Sequence, residues 1–314
     1  MSASRDESTR VLPVRLRRLT EPSSSKALPR SRILLGENSL LLPTLPANSA
    51  RLCYIDPPFN TGEVQRRTRL SVEAHATGTR RGFHGRTYRV QEEPSAAFTD
   101  RFDDYCAFLI PRIELALRCL TSDGSLFVHL DEREVHYVKV ALDRLLGRAH
   151  FMNEIVWAYD YGARSKSRWP AKHDSILWYA LDPQDYVFRY ERIDRIPYLA
   201  PKLVTPEKAA RGKTPTDVWW QTIVPTSGKE KTGYPTQKPL AILERIVQVH
   251  SDPGDVVLDF FAGSGTSGEA AAKHGRSFVL IDENPDAVRI MARRLVDFEP
   301  EVVGLEVPRA ETLL

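Results

Sequence analysis

The sequence predicts an α/β fold, a mostly parallel sheet with helices on both faces. Two observations carry that expectation. Apolar segments of strand length alternate with amphipathic segments of helix length in both halves of the chain, the pattern of successive strand–helix units. In addition, "VVLDFFAGSGTSGEAAA" (256–272) sets glycines between a strand and a helix, so that one runs straight into the other. With 314 residues, 42% of them hydrophobic, the chain can bury the core that such a sheet needs.

The elements follow in order. "RLCYID" (51–56) reads as a short strand that must stop at Asp56, because neither Pro57 nor Pro58 can donate a ladder hydrogen bond. Residues 63–97 hold seven arginines against four acids with weak periodicity, and read as a long functional or disordered loop. "DDYCAFLIPRIELALRCL" (103–120) has apolar residues at helical spacing, "TSDGSLFVHLD" (121–131) is a turn and a buried strand, and "EREVHYVKVALDRLLG" (132–147) is an amphipathic helix. "FMNEIVWAYDYG" (151–162) is a third strand. The pattern loosens over 162–232, where charged and aromatic residues interleave. It returns with a helix at "KPLAILERIVQVHS" (238–251), the glycine turn, and "SFVLIDENPDAVRIMARRLVDF" (277–298) as strand then helix.

Composition removes several classes. No apolar run approaches the ~20 residues of a membrane span, and the N-terminus shows no apolar signal core. Cys53, Cys106 and Cys119 are too few and too irregular for a disulfide frame or a zinc site, so a reducing, cytoplasmic setting without a metal is expected. The net charge of +3 says little, but residues 1–32 carry eight Lys/Arg against three Asp/Glu. Residues 1–31 therefore read as a basic flexible arm.

The glycine turn carries Gly263-x-Gly265-x-x-Gly268 after a strand and at a helix start, with Asp282 nineteen residues beyond Gly263 at the end of the next strand. Small residues let backbone approach a ligand, and an acid so placed accepts both hydroxyls of an adenosine ribose. NAD and S-adenosyl-methionine both present that ribose. NAD would put a pyrophosphate over the helix N-terminus. Adenosyl-methionine has none, and its amino acid end needs partners, which Thr236, Gln237 and Lys238 of "YPTQKP" (234–239) and Asp259 could supply.

"DPPF" (56–59), then "TQKP" (236–239) and "FAGSGT" (261–266), resemble the amino-methylating DNA methyltransferases of the beta arrangement, in which the catalytic motif precedes the cofactor motif. "GSLFVHLDE", "NEIVWAY" and "KHDSILWY" are similar to the adenine-specific members, including type II and type III modification methyltransferases. The resemblance runs from Arg32 to Phe298. It implies a Rossmann-like methyltransferase fold, S-adenosyl-methionine held by Asp259, Phe260, Ala262, Gly263, Gly265, Thr266, Asp282 and the TQKP residues, and double-stranded DNA as substrate. A homodimer and a cognate restriction enzyme are open expectations of the same resemblance.

The chemistry explains the opening of the motif. An exocyclic amine is a poor nucleophile because its lone pair is delocalised into the ring. Asp56 can accept one amine hydrogen and the Pro57 carbonyl the other, with Pro57 and Pro58 locking that carbonyl in place. Phe59 can stack on a base, which must leave the duplex to arrive there. Carbon-5 methylation would need a cysteine nucleophile in a Pro-Cys pair, which is missing. By resemblance an Asp in the first position points to adenine-N6. Cytosine-N4 methylation is the alternative and an NAD-dependent dehydrogenase the second.

The organisation expected is therefore a catalytic half (32–161), a small target-recognition insert (162–232), a cofactor half (233–300) and a tail (301–314). Arg164, Lys166, Arg168 and Lys172 around Trp169, and Arg66, Arg67, Arg80 and Arg81 (with Arg86 and Arg89) in the loop, are candidate phosphate contacts. Trp178, Tyr179, Trp219 and Trp220 are expected in the core. His129 and Asp131 end a strand, where α/β ligand sites form, or else pair with each other.

Overall fold

The computed structural model describes residues 31–61, 64–74, 80–81, 87–99, 101–160, 165–225, 228, 230–234 and 236–304, with the backbone alone for 64–74, 80–81 and 87–99. The basic arm up to residue 30, Arg86, Arg164 and most of the 301–314 tail lie outside the described residues.

The chain runs β1 (Arg32–Leu35), α1 (Asn38–Leu41), β2 (Ala50–Ile55), β3 (Val64–Ala74), β4 (Arg80–Arg81), β5 (Thr87–Thr99), α2 (Tyr105–Leu117), β6 (Leu120–Leu130), α3 (Val135–Leu146), β7 (Phe151–Ala158) and β8 (His173–Ala180). It continues with α4 (Pro206–Arg211), β9 (Val218–Trp220), α5 (Leu240–His250), β10 (Val256–Asp259), α6 (Thr266–Lys273), β11 (Ser277–Asp282), α7 (Pro285–Arg294) and β12 (Glu301–Val303). Among the described residues, nine strands form one sheet in the order β12-β1-β11-β10-β2-β6-β8-β7-β9. It is parallel from β12 to β6; β8 is antiparallel to both neighbours, and β9 pairs parallel with β7. The expected mostly parallel α/β sheet is present.

Strand alternation divides the core. Cys53, Ile55, Leu126 and Val128 pack on one face with Leu109 and Ile113 of α2 and Val138 and Leu142 of α3. Leu52, Tyr54 and Phe127 face the other way, with Ile242 and Ile246 of α5, Ala270 of α6 and Met291 of α7. The starts of α2 and α7 are capped: Asp104 accepts from Ala107 N, and Asn284 accepts from Asp286 N ahead of Pro285.

Two expectations change. Residues 63–97 are not an aperiodic loop: β3, β5 and β4 form a separate three-stranded antiparallel sheet, whose pairing spans Val64↔Thr99 to Ala74↔Tyr88. Backbone pairing needs no apolar face, so the arginine-rich sequence hid it. The 162–232 segment is not wholly an insert either, because it supplies β8 and β9 to the main sheet. What remains outside the sheet between them is 181–217.

Candidate active site

Parallel pairing determines what meets what. β1, β11, β10, β2 and β6 are consecutive neighbours, so their C-terminal ends open on one edge of the sheet. They deliver, in that order, Glu37, Asp282, Asp259, Asp56 and His129. Asp56 and the glycine turn, some two hundred residues apart, leave adjacent strands. The edge holds a cavity of about 340 Å³ whose lining includes Asp56, Pro57, Pro58, Phe59, Thr236, Lys238, Asp259, Phe260, Ala262, Gly263, Thr266 and Asp282. Most of the site residues expected from the sequence thus come together.

At the catalytic turn, Lys238 Nζ donates to Asp56 Oδ2 at 2.6 Å and sits 4.7 Å from the centre of the Phe59 ring. Asp56 Oδ1 is buried and has no hydrogen-bond partner among the described residues. Beneath Phe59 lies His129, fully buried, its ring centre 6.0 Å away. His129 Nε2 meets Asp174 Oδ2 at 3.0 Å and Nδ1 meets Tyr54 Oη at 2.7 Å. A neutral imidazole that donates to the carboxylate accepts at its other nitrogen, and in that tautomer Tyr54 donates to it. Tyr159 Oη donates to Asp174 Oδ1 at 3.0 Å. Burial pushes Asp174 up, but the His129 hydrogen bond and the Lys238 charge outweigh it and hold it below the usual carboxylate range. His129 is therefore not paired with Asp131, which bonds Arg133 instead.

At the cofactor end, Asp259 accepts from Phe261 N at 3.0 Å and from Ser267 Oγ at 2.6 Å. Burial, only partly offset by those bonds, pushes its carboxyl up to about 7. Asp282 is pushed up to about 6, again by burial. Its Oδ2 accepts from Gly263 N at 2.8 Å and Oδ1 from Asn284 N at 2.9 Å, so the acid ties the glycine turn to its own strand and keeps one lone pair per oxygen. Arg294 Nη1 braces the turn through Thr266 Oγ1 at 2.9 Å.

Two cofactor expectations are corrected. Gly265 does not border the cavity. Its φ is +76°, and a Cβ there would lie 2.8 Å from Met291 Cγ, so its hydrogen is required by α7 packing and not by ligand space. Gly265→Val should consequently lower the stability of the unliganded protein by at least about 2 kcal/mol, from overpacking and a left-handed β-branched residue, as read by denaturant unfolding. Gln237 is turned away: Oε1 accepts from Thr232 N and Nε2 donates to Glu230 O, holding the 230–237 turn. Lys238 lines the cavity as expected, and one of its three N–H donors goes to Asp56. Residues the sequence reading passed over also line the cavity, notably Glu37, Asn38, Phe102, Phe108, Arg112 and Tyr234. Glu37 and Asn38 could have been found, since "RILLGEN" is a strand followed by polar residues at the sheet's ligand edge.

Trp178, Tyr179 and Trp219 are buried as expected, whereas Trp220 is 74% exposed. Lys166 and Arg168 are exposed beside Trp169, itself 96% exposed. Lys172 Nζ donates to Asp160 O at 3.3 Å. Because β7 runs parallel to β6, this 165–172 stretch leaves the sheet at the same edge as Asp56. No group of three or more His, Cys, Asp or Glu among the described residues could hold a metal, and no described helix is long and apolar enough to cross a membrane.

A family model for N6/N4 methyltransferases, described as DNA methylase, matches residues 50–293, which span both the DPPF turn and the glycine turn. The chain belongs to the DNA methylase family. Among the proteins similar to this DNA methylase, the type II methyltransferase M.HpaI of Haemophilus parainfluenzae is 27% identical over 264 residues, 84% of this chain and 74% of that one. The DNA adenine methyltransferase YhdJ of Escherichia coli (strain K12) is 28% identical over 271 residues, 84% of this chain and 82% of that one. Of solved structures, the cytosine-N4-specific PvuII DNA methyltransferase superposes with a TM-score of 0.56 at 14% identity, covering 88% of this chain and 96% of that one. The M1.HpyAVI–SAM complex gives 0.53 at 19%, covering 84% and 98%. These two likenesses establish the fold.

Proposed function

We propose that this DNA methylase is a site-specific adenine-N6 methyltransferase that uses S-adenosyl-methionine. The observation that carries the reading is Asp56: one oxygen is held by Lys238 and the other is buried without a partner among the described residues, on the wall of the cavity that the glycine turn also lines. The cavity fits the cofactor's chemistry, with Asp259 for its amino group, Asp282 for its ribose and Phe108 and Phe261 as flat apolar surface. S-adenosyl-methionine, when bound, supplies an electrophilic methyl group. Asp56 Oδ1 and the Pro57 carbonyl accept the two hydrogens of the amine, free its lone pair for direct attack, and stabilise the positive charge that develops. Asp56 takes the proton the amine gives up, and no covalent enzyme intermediate forms. Lys238 keeps the carboxylate in place, and the Tyr54–His129–Asp174 chain supports Phe59, on which the flipped base stacks.

Adenine is favoured over cytosine-N4 by the Asp that opens the motif and by the 28% likeness to an enzyme described as a DNA adenine methyltransferase. A cysteine route is disfavoured: burial pushes the Cys53 thiol well up and that of Cys119 up to about 11. The test is transfer of a labelled methyl group from S-adenosyl-methionine to duplex DNA, followed by digestion to nucleosides. Label in N6-methyladenine supports the reading; label in N4-methylcytosine replaces the base, and no transfer removes the activity.

The acids set a pH dependence. Asp259 and Asp282 bind cationic and hydroxyl groups as carboxylates, with ordinary values raised to about 7 and about 6. Cofactor affinity should therefore fall as pH drops below 7, by up to about tenfold per unit for each protonated acid. The empty protein has the opposite slope: a carboxyl whose folded value is raised binds its proton more tightly when folded, so this contribution to stability is lost as pH rises from about 4 to about 7. Calorimetry from pH 5.5 to 8 checks the first, and a flat profile would remove Asp259 from the amino-group site.

A further inference from the structure

Asn60 closes the catalytic turn in a left-handed conformation, φ +55°, which Asn tolerates better than most side chains. Its side chain reaches two other segments. Oδ1 accepts from Phe102 N at 2.8 Å, and Nδ2 donates to Glu134 Oε1 at 2.8 Å. A backbone N–H on one side fixes which end of the amide is oxygen. Glu134 stands at the start of α3, whose Val135 and Val138 are buried, so it is a fixed point. Phe102 follows the last strand of the three-stranded sheet by three residues, stacks on Phe108 with ring centres 4.2 Å apart, and lines the same cavity as Phe59.

We propose that Asn60 is a positioning residue of the methyl-transfer site, a clamp whose bonds to Phe102 N and Glu134 hold Phe59 and Phe102 in fixed relation in the cavity wall and tie both to the point where the three-stranded sheet returns. The inference rests on the methyl-transfer reading above. It follows from the connectivity: Phe59 is adjacent to Asn60 in the chain, Phe102 is bonded to its oxygen, and α3 anchors its nitrogen. A flipped base must fit between fixed surfaces to present its amine to Asp56, and misplacement on the scale of 1 Å is enough to cost about a hundredfold in rate.

The polarity of the Glu134 bond gives a clean cycle. Asn60→Asp keeps the acceptor for Phe102 N and tolerates the same φ, but turns a carboxylate toward Glu134. Glu134→Gln alone still offers an oxygen to Asn60. When the two substitutions are combined, the amide nitrogen introduced by Glu134→Gln would donate to the new carboxylate and restore the bond with reversed polarity. We expect Asn60→Asp to lower kcat at least about tenfold with cofactor Kd within threefold, Glu134→Gln to stay within about twofold, and the double variant to return to within about threefold of the parent. Wild-type kcat in Asn60→Asp, or a double variant no better than the single, overturns the clamp. If Asn60→Asp does not fold, Glu134→Ala removes one bond at a half-exposed position; it should lower kcat about threefold or more, and an unchanged kcat overturns the proposal. An unmodified protein that fails to methylate DNA defeats the methyl-transfer reading itself, which separates the two failures.

Discussion

Asp56→Ala should abolish methyl transfer, with a single-turnover rate lower by at least about a thousandfold, while cofactor affinity stays within about tenfold, or ~1.4 kcal/mol. The asymmetry follows from where the carboxylate sits. In the proposed mechanism its second oxygen accepts from the amine as charge develops there, whereas the cofactor's own groups are assigned to Asp259 and Asp282. Removing Asp56 also leaves the Lys238 ammonium, whose side chain is only 10% exposed, without its partner. Asp56→Asn keeps a hydrogen-bond acceptor for Lys238 without the negative charge, and should be equally inactive while folding normally. Rapid-quench transfer and calorimetry on both variants check this. Retained turnover in either would mean that the amine is activated elsewhere.

Replacing Arg66, Arg67, Arg80 and Arg81 together by Ser should weaken binding to every DNA sequence alike. Each lost phosphate contact lowers the slope of log affinity against log salt by about 0.9, so four contacts would flatten it by roughly three to four units. These residues lie on β3 and β4 of the three-stranded sheet, which departs from the chain just after the catalytic turn and returns at Phe102. Preference between target and other duplexes should barely change, because phosphates carry no sequence information. An unchanged slope makes the sheet a bystander. A loss confined to target DNA makes it the reader of bases, and moves recognition away from the 162–232 segment.

What the sequence disclosed, and what it hid, divides by range. The DPPF turn and the glycine turn are local: prolines that stop a strand, and glycines between strand and helix, state their geometry within a few residues. The mostly parallel sheet was legible through strand–helix alternation, but the strand order that sets the two turns side by side was not. The pairing of Lys238 with Asp56 was not, because 182 residues separate them and only the adjacency of β2 and β10 brings them together. β8 was hidden for another reason: "HDSILWYA" is a buried strand embedded in a charged, aromatic segment that reads as an insert. The three-stranded sheet lacks the apolar alternation that announces most strands. Gly265 matched a ligand-binding pattern correctly in spacing, yet the atoms its side chain would strike belong to Met291 and Leu295, contacts that no local pattern encodes.

The central claim is that the DPPF turn methylates the N6 amine of adenine. Its most direct measurement is nucleoside analysis of DNA from cells that lack adenine methylation of their own and express either the unmodified protein or Asp56→Asn. N6-methyladenine with the unmodified protein and none with Asp56→Asn is the predicted result. N4-methylcytosine in its place, or N6-methyladenine that persists in the variant, would contradict it.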